Sequence, residues 1–325
     1  MKIVFLSRYQ NKLQRGAENF VGELSKRLSG KHETNVLSGK DADDFWKVIN
    51  GKYDVVIPIN GRFQALLASL GRLMSGYKLL ITGHSGIGWD DIWNILVKPD
   101  VFVTLTDYQK EWAKKWAWGS KVVKIPNGID LLKFSSEGPR IEMDLPRPIF
   151  LSVGALVWYK YHERVIRAIG EMGYGSVLIV GDGPEREKLE RLGFKLLGNR
   201  FKIRNFTYQD MPKVYRGCDL FTLPSWGREA FGIVYLEAMA SGLGVVVPDD
   251  SSRREIIDEA GLFVDVSDPK KYAKAIESAL KIDWQKKAKI QAEKFSWDKI
   301  AKLYEELMIS MTYTCLLYTS PSPRD

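Results

Sequence analysis

Two glutamates eight positions apart flank an apolar segment in the second half of the chain. Residues 227–242 read GREAFGIVYLEAMASG, with Glu229 before the apolar residues and Glu237 among them. A helix that begins near Phe231 or Gly232 carries Glu237 about 9 Å further along its axis than Glu229. The first turn of a helix has unpaired N–H groups and the positive end of the dipole, which favour a phosphate group. Carboxylates on both sides of a diphosphate suit the vicinal hydroxyls of a sugar at one end and of a ribose at the other.

A second interpretation of this pair needs no ligand. One glutamate then caps the helix and the other lies on its solvent side, an arrangement that is common at helix starts. Gly232 favours the ligand-binding interpretation, because a residue without a side chain lets a ligand approach the backbone.

The elements that position these glutamates form a regular alternation of short apolar strands and amphipathic helices. The helix around 17–29, for example, has Phe20, Val21, Leu24 and Leu28 on one face, and the helix at 296–308 has a Ser N-cap. The alternation is typical of βαβ units in a parallel, doubly wound sheet, which binds ligands at the carboxyl ends of its strands. The predicted strands lie at 2–7, 54–59, 78–82, 100–106, 121–126, 149–154, 176–183, 201–203, 220–225, 244–249 and 262–266.

Size and composition exclude several classes of protein. The chain has 325 residues, of which 45% are hydrophobic and 27% charged, and only two are cysteines. Two cysteines argue against a disulfide framework and for a cytosolic setting. No apolar run approaches the roughly 20 residues of a membrane-spanning helix, and the N-terminus enters a strand directly, so we expect no signal peptide. The formal charge of +8 favours anionic ligands or an anionic membrane surface, and an ordinary solvated basic surface is the alternative. No basic stripe indicates a nucleic-acid groove.

The run PSWGREAFGIVYLEAMASGLGVVVPDD, which starts at residue 224, resembles a known family signature. It is similar to the E-x7-E donor-binding motif of retaining GT-B glycosyltransferases of family 4, and the resemblance covers most of residues 1–308. It implies two Rossmann-like domains that face a central cleft, and transfer of a hexose-type sugar from a nucleoside diphosphate to a hydroxyl. By that resemblance Glu229 binds hydroxyls of the transferred sugar and Glu237 binds the ribose. The backbone that meets the sugar and diphosphate is that of Phe231, Gly232, Ile233 and Val234.

The resemblance also suggests a division of the chain. Residues 133–148 read KFSSEGPRIEMDLPRP, a polar stretch with three prolines that separates two series of strands. The segment from Cys315 is rich in Pro and Ser, and it resembles translated sequencing-adaptor read-through. The predicted division is 1–135 for an acceptor-side N-terminal domain, 136–148 for a linker, 149–295 for a nucleotide-sugar-binding domain, 296–310 for a helix packing back toward the N-terminal domain, and 311–325 for a non-native tail.

Other motifs lie where the family would have them. QRGAENF resembles the family's first Gly-rich loop, in which Gly16 lets the backbone approach the diphosphate. ITGHSG carries His84 where the family has a histidine beside the reacting sugar; a structural turn histidine is the alternative. PNGID resembles the family's loop at the end of the first domain, which implies a positional role for Asn127; an ordinary turn is the alternative. VGDGPEREKL resembles a nucleotide-side loop or an ordinary strand–helix turn. KIRNF carries Arg204 where the base packs in the family.

One departure from the family concerns the diphosphate. After the strand at 149–154 the family has an Arg directly after the Gly and a Lys five residues later. This chain reads VGALVWYK, with Ala155 at the Arg position and Lys160 at the Lys position. Ala155 removes a bidentate phosphate donor. Arg15 or Arg228 could supply the charge, Lys160 and the helix end could suffice, or turnover could be lost.

The implied reaction uses His84, Lys160 and Glu229 as catalytic residues. Lys160 and the helix end would stabilise the leaving diphosphate, and no carboxylate is identified as a covalent nucleophile. We expect neither metal nor cofactor, with the nucleotide sugar as co-substrate. The expected acceptor is a glycan or a lipid-linked molecule. Rival activities are a nucleotide-sugar epimerase, a phosphorylase of the same fold, or a binding pseudoenzyme.

A basic N-terminal domain rich in tryptophan permits peripheral contact with an anionic membrane, at the inner face if the protein is cytoplasmic. The same tryptophans could instead be helix core or interdomain packing. They are Trp89, Trp93, Trp112, Trp116 and Trp118.

Overall fold

The computed structural model describes residues 1–10, 16–227 and 229–313. The chain divides into two compact units. One combines Met1–Gly128 with the segment from Trp297 onward, and the other is Ile129–Ser296. Each unit is built on a six-stranded parallel sheet with helical connections, so the predicted α/β fold class with two doubly wound sheets is confirmed.

The described residues form strands and helices in alternation. The strands are β1 (Lys2–Leu6), β2 (Glu33–Leu37), β3 (Val55–Pro58), β4 (Lys78–Thr82), β5 (Val101–Thr104), β6 (Lys121–Lys124), β7 (Ile149–Val153), β8 (Ser176–Val180), β9 (Phe201–Arg204), β10 (Leu220–Thr222), β11 (Val245–Pro248) and β12 (Gly261–Val264). The helices are α1 (Gly16–Leu28), α2 (Phe45–Asn50), α3 (Arg62–Ser75), α4 (Trp89–Leu96), α5 (Asp107–Lys114), α6 (His162–Met172), α7 (Arg186–Leu197), α8 (Met211–Arg216), α9 (Ile233–Ala240), α10 (Ser251–Ile257), α11 (Pro269–Ala279), α12 (Gln285–Glu293) and α13 (Trp297–Tyr313).

The sheet of the first unit has the order β2-β1-β3-β4-β5-β6 and is covered on both faces. One face packs against α1 and α13, through side chains such as Phe20, Leu24 and Tyr304. The other face packs against α2 to α5, through residues such as Ala65 and Ile95. Burial on both faces explains why the central strands read as continuous apolar runs rather than alternating ones.

The helix α13 belongs to the first unit although it ends the described chain. It starts at Trp297, directly after Ser296, and its apolar period continues past the predicted end at 308 to Tyr313. Ile300 and Met308 are fully buried against the first sheet.

The sequence pattern missed β2. Its residues Glu33–Leu37 read ETNVL, and most of them are partly or fully exposed. The strand lies at the edge of the sheet and pairs with β1 alone. The structure of β2 is therefore decided by main-chain hydrogen bonds to β1 and not by burial of an apolar face. For this reason, apolar periodicity in the sequence does not predict the strand.

The sheet of the second unit has the order β12-β11-β10-β7-β8-β9. The chain runs outward from β7 to β9, returns, and runs outward again from β10 to β12. The topological switch point, where ligands of doubly wound sheets bind, is therefore between β7 and β10.

Residues 130–148 contain no helix or strand and belong to the second unit. Arg216 fixes this segment, because its guanidinium donates hydrogen bonds to the carbonyl oxygens of Ser135 at 3.0 Å and Pro139 at 2.8 Å. The predicted linker at 136–148 thus lies within a stretch that side-chain hydrogen bonds hold against its own unit.

Candidate functional site

The switch point of the second sheet brings Lys160 and Glu229 together. Lys160 is in the loop after β7 and Glu229 is in the loop after β10. The Lys160 Nζ atom lies 2.5 Å from Glu229 Oε2, and the two side chains are 15% and 19% exposed. Two residues that are 69 positions apart in the sequence thus form a partly buried ion pair at the edge where this fold binds ligands.

Backbone hydrogen bonds to the neighbouring loop after β8 hold the loop that carries Lys160. Gly154 N donates to Val180 O at 3.0 Å, and Leu156 N donates to Asp182 O at 2.9 Å. Ala155 lies between these two anchors and is exposed. Its methyl group offers no charge to a phosphate, whereas Lys160, at the end of a short 3-10 turn, does.

The buried Arg253 organises the loop after β10. Its guanidinium donates hydrogen bonds to Tyr235 Oη at 3.0 Å, to Ser225 O and Oγ at 2.7 Å each, and to Trp226 O at 3.1 Å. It also pairs with Asp250, the N-cap of α10. The sequence analysis missed this residue, because an Arg in SSRREII carries no motif. Its only sequence signal is a basic residue three positions after a capping Asp.

Gly232 makes the turn from this loop into α9. Its φ of +77° is in the left-handed region, and a Cβ atom there would lie 2.3 Å from the Tyr235 ring. Only glycine fits both constraints. The helix α9 begins at Ile233, one or two residues after the predicted start. Phe231 is buried and its ring lies 6.0 Å from that of Phe295, so its side chain belongs to the core and only its backbone is left for a ligand.

Glu237 is the fifth residue of α9 and is only 4% exposed. Its Oε2 atom accepts a hydrogen bond from Tyr215 Oη at 2.7 Å. Burial raises the pKa of this carboxyl from 4.5 to about 7, although the Tyr215 hydroxyl and Lys133 favour its charged form. The interpretation of Glu237 as a glutamate on the solvent side of the helix is therefore wrong.

The first unit holds the other predicted residues. His84 follows β4, and its ring packs edge-on to Phe20 with centroids 4.6 Å apart. Its Nε2 atom is buried without a hydrogen-bond partner in the described part of the chain, and burial lowers its pKa to about 4, so the ring is neutral. Gly16 is the first residue of α1, with open space around its Cα. Asn127 follows β6, and its buried Oδ1 atom also has no partner among the described residues.

Two predicted cations, Arg15 and Arg228, lie outside the described residues.

Arg204 ends β9 and is exposed on an open groove of about 830 Å³. Phe194 and Phe201 line the same groove, and Lys160, Glu229 and Glu237 do not. We nevertheless assign the site to the switch point, because the ammonium, carboxylates and helix N-terminus that a sugar diphosphate needs are found there.

The described residues contain neither a metal-binding cluster nor a membrane-spanning helix. No group of three or more His, Cys, Asp or Glu side chains among residues 1–10, 16–227 and 229–313 is arranged to hold a metal ion. In the same part of the chain, none of the helices combines the length and apolarity that crossing a membrane requires.

Comparison with protein families gives one match to the second unit. Residues 138–296 match the model of glycosyl transferases group 1. The chain is 29% identical over 224 residues to a phosphatidyl-myo-inositol mannosyltransferase of Mycolicibacterium smegmatis, a match that covers 62% of this chain and 56% of the relative. It is 37% identical over 169 residues to an uncharacterized glycosyltransferase of Methanocaldococcus jannaschii, covering 47% of this chain and 43% of that protein. The matches span about half the length of these curated relatives.

Solved structures share the fold over most of the chain. HepE of Anabaena, crystallised in complex with UDP, superposes with a TM-score of 0.79 at 17% identity, over 95% of this chain and 100% of that one. The sucrose-phosphate synthase of Thermosynechococcus elongatus gives a TM-score of 0.79 at 18% identity, over 98% and 100% of the two chains. At such low identity these likenesses show the fold alone. The match to glycosyl transferases group 1, over residues 138–296, contains the whole second sheet and both glutamates.

Proposed function

We propose that this protein is a glycosyltransferase that moves a hexose-type sugar from a nucleoside diphosphate to an acceptor hydroxyl. The observation that carries the proposal is the ion pair between Lys160 and Glu229 at the switch point, beside the N-terminus of α9. An ammonium and a helix N-terminus attract a diphosphate, and a carboxylate accepts hydrogen bonds from sugar hydroxyls. The family match and the names of the relatives support the same reaction class.

The proposed donor site uses backbone and side chains in different roles. The N–H groups at Ile233 and Val234, in the first turn of α9, and the Lys160 ammonium would bind the diphosphate. Glu229 would hold the transferred sugar, and Glu237 the ribose. Gly232 and Phe231 would present only their backbone, and Arg204 would pack near the base. Gly16 and His84 belong to the first unit, and their roles at the diphosphate and the reacting sugar stay predictions.

We propose that the transfer retains the anomeric configuration. The bond between the anomeric carbon and the leaving phosphate oxygen breaks, and the acceptor oxygen bonds to the same face. The acceptor proton goes to the leaving phosphate. Lys160 and the N–H groups of α9 stabilise the charge that develops on that phosphate, which lowers the barrier. Glu229 positions the sugar and forms no covalent bond. The neutral His84 ring is suited to hydrogen bonding and not to charge stabilisation.

We propose that the reaction needs no metal or cofactor, because Lys160 and the helix N-terminus supply the positive charge. Transfer should then persist in excess chelator. Loss of transfer with EDTA, restored by a divalent cation, would contradict this part of the proposal.

The proposed acceptor is a glycan or a lipid-linked molecule, and the first unit supports contact with an anionic membrane from the cytoplasmic side. Helices α3, α4 and α5 share one face of the first sheet. Their outer surface exposes many large apolar side chains, and Lys98 and Lys115 are exposed among them. Tryptophan together with lysine is typical of membrane interfaces. The exposed apolar residues are Phe63, Leu66, Leu70, Leu73, Met74, Trp89, Trp93, Leu96, Trp116 and Trp118.

The exposure of each tryptophan in the first unit bears on the choice between membrane contact and core packing. Trp89 and Trp118 are largely exposed within their unit, whereas Trp112 packs against the core of the first unit. Flotation with phosphatidylcholine vesicles, with and without phosphatidylglycerol, tests the contact. We expect binding to the anionic vesicles only, and a weaker interaction for Trp118→Ala combined with Lys115→Gln. Equal flotation of the variant and the wild type would contradict the assignment of this surface.

Ala155 keeps a sugar-nucleotide-binding pseudoenzyme as the second candidate. A thermal-shift screen with UDP-, GDP- and ADP-sugars, followed by a transfer assay with the donor that stabilises the protein, separates the candidates. Donor-dependent transfer of the sugar to an acceptor pool supports the transferase. Stabilisation without transfer supports the pseudoenzyme. Conversion of the donor without an acceptor indicates an epimerase, and a requirement for free phosphate indicates a phosphorylase.

A further inference from the structure

Aromatic side chains crowd the two loops that carry Lys160 and Glu229. Trp158 and Tyr159 are in the loop after β7, and Trp226 is in the loop after β10; together we name these three residues the aromatic corner. The rings of Tyr159 and Trp226 are stacked, with centroids 5.0 Å apart and planes 27° apart. The Trp158 ring is nearly perpendicular to both, at 90° to Tyr159 and 77° to Trp226, with centroids 5.5 and 5.3 Å away. The corner thus consists of two aromatic walls at about a right angle.

The aromatic corner and the ion pair share one framework. Trp226 N donates a hydrogen bond to Tyr159 O at 2.9 Å, which joins the two loops. Lys160 directly follows Tyr159 in sequence, and Glu229 comes three residues after Trp226. The same two loops therefore carry the aromatic corner and the ion pair.

Stability of the fold does not account for this arrangement. Trp158 is 58% exposed, so much of its apolar surface stays in contact with water. Tyr161 has a φ of +53°, a left-handed conformation that is strained for a side chain of this size. Its ring lies 3.9 Å from the Arg164 guanidinium and 6.4 Å from Trp158. Strain and exposure within one short loop beside a binding site are typical of residues that a ligand uses.

The chemistry of the corner fits a six-membered polyol ring. Such a ring has C–H groups on its faces and hydroxyls around its edge. An aromatic wall binds the C–H face and leaves the hydroxyls at the edge of the ring free for hydrogen bonding and for reaction. A bare phosphate has no C–H face to stack on the rings, and a purely apolar ligand has no hydroxyl that could accept a sugar.

We propose that the aromatic corner is the acceptor subsite and that Trp158 stacks on a six-membered polyol ring of the acceptor, either a pyranose or a cyclitol. This inference rests on the proposed function. The donor residues proposed above do not include the corner. The ring of Phe231 packs against Phe295, while Trp158 has ring contacts with Tyr159, Tyr161 and Trp226. The subsite is therefore additional to the donor site.

Saturation-transfer NMR on the full chain tests the subsite with two probes, methyl α-D-mannopyranoside and myo-inositol, in the presence of the nucleoside diphosphate that binds best. The first probe represents a pyranose acceptor and the second a cyclitol. We expect saturation of the ring C–H protons of at least one probe by the wild type. Trp158→Ala should reduce it by about fivefold or more, and Trp158→Phe should retain most of it.

The matched control is Tyr174→Ala, which removes an aromatic ring that is 45% exposed between α6 and β8 of the same unit. It should saturate the probe as the wild type does. Tyr161→Ala is a second variant that should weaken the signal, in case Trp158→Ala does not fold. The inference is overturned if neither probe is saturated by the wild type, or if Trp158→Ala and Tyr161→Ala match the wild type.

Nucleotide affinity is measured separately by calorimetry. It should be unchanged in Trp158→Ala, because the variant keeps Lys160 and α9. If the wild type binds no nucleoside diphosphate, the proposed function is contradicted. If the wild type binds the nucleotide but neither polyol, only the acceptor subsite is contradicted. Loss of nucleotide affinity in a folded Trp158→Ala variant would assign the Trp158 ring to donor recognition instead of acceptor recognition. This result would also overturn the inference.

Discussion

At the scale of single residues, Lys160 and Glu229 neutralise each other in the free protein. Their 2.5 Å contact occupies the ammonium that the diphosphate would need and the carboxylate that the sugar would need. Donor binding must therefore open this ion pair and replace it with two new interactions. An isolated nucleoside diphosphate can use only Lys160, so it leaves Glu229 without its partner. The intact donor can use both residues.

Glu229→Gln separates these two contributions. The amide keeps the shape of the side chain but removes the ion pair, which frees Lys160 for phosphate. We expect free UDP or GDP to bind as tightly as to the wild type or more tightly, and sugar transfer to fall by about 100-fold or more, since a charge-assisted hydrogen bond is lost in the transition state. Calorimetry measures the nucleotide affinity, and a transfer assay measures the rate of sugar transfer. Unchanged transfer would remove Glu229 from the sugar site.

The buried Glu237 makes stability depend on pH. Its pKa is about 7 in the folded protein, against 4.5 ordinarily. Between these values the unfolded chain has lost the proton and the folded protein still holds it, so raising the pH through this window favours unfolding. From pH 5 to 8 the unfolding free energy of the wild type should fall by up to about 3 kcal/mol more than that of Glu237→Gln.

Urea denaturation at several pH values measures this difference, with the exposed Glu187→Gln on α7 as the control. The comparison with the wild type cancels the contribution of Asp91, whose pKa burial also raises to about 7. Parallel pH profiles for Glu237→Gln and the wild type would mean that this carboxyl ionises freely in the folded protein.

At the scale of elements, the site depends on loops that a motif describes only in part. The spacing of Glu229 and Glu237 and the turn at Gly232 were visible in the sequence, because glycine and charge patterns are local. The role of Arg253 was not, because its hydrogen bonds to Ser225, Trp226 and Tyr235 cross between elements. The burial of Glu237 was also not predictable, since it depends on Tyr215 from the preceding helix.

Gly232→Ala tests the turn into α9. The added methyl would collide with the Tyr235 ring and hold a φ of +77°, so we expect a loss of about 1–3 kcal/mol in the free energy of unfolding. Gly227→Ala is the matched control in the same loop, because a Cβ atom there meets nothing within 4 Å. Chemical denaturation of both variants gives the comparison. Equal stabilities would show that the turn tolerates a side chain.

At the scale of the whole molecule, alternation of strand and helix was sufficient to predict two parallel sheets. Eleven of the strand positions were visible as apolar runs, and the polar edge strand β2 was not, for it forms by pairing with β1. Apolar periodicity does not predict the order of the strands in a sheet. The proximity of Lys160 and Glu229 depends on that order, because it places the loops after β7 and β10 side by side. The assignment of the last helix to the first unit depends on contacts far apart in sequence, such as that of Trp297 with Gly128.

Ile300→Ala tests the dependence of the first unit on α13. Ile300 is 1% exposed in the first core, so the substitution should cost about 2–5 kcal/mol of unfolding free energy. Leu303→Ala on the same helix is the control, since Leu303 is 43% exposed and its loss should cost less than about 1 kcal/mol. Thermal and urea denaturation of the full chain measure both. Equal effects would mean that α13 does not complete the first core.

The most direct test of the account is calorimetric titration of UDP and GDP into the wild type, Lys160→Met and Lys188→Met. Lys188 pairs with Glu185 on the surface of the same unit, so its variant removes a positive charge away from the switch point. We predict that the wild type and Lys188→Met bind one of these nucleotides alike, and that Lys160→Met binds it about 10- to 100-fold more weakly, as expected for a lost charged hydrogen bond. Equal affinity of Lys160→Met and the wild type would contradict a diphosphate site at the switch point of the second sheet.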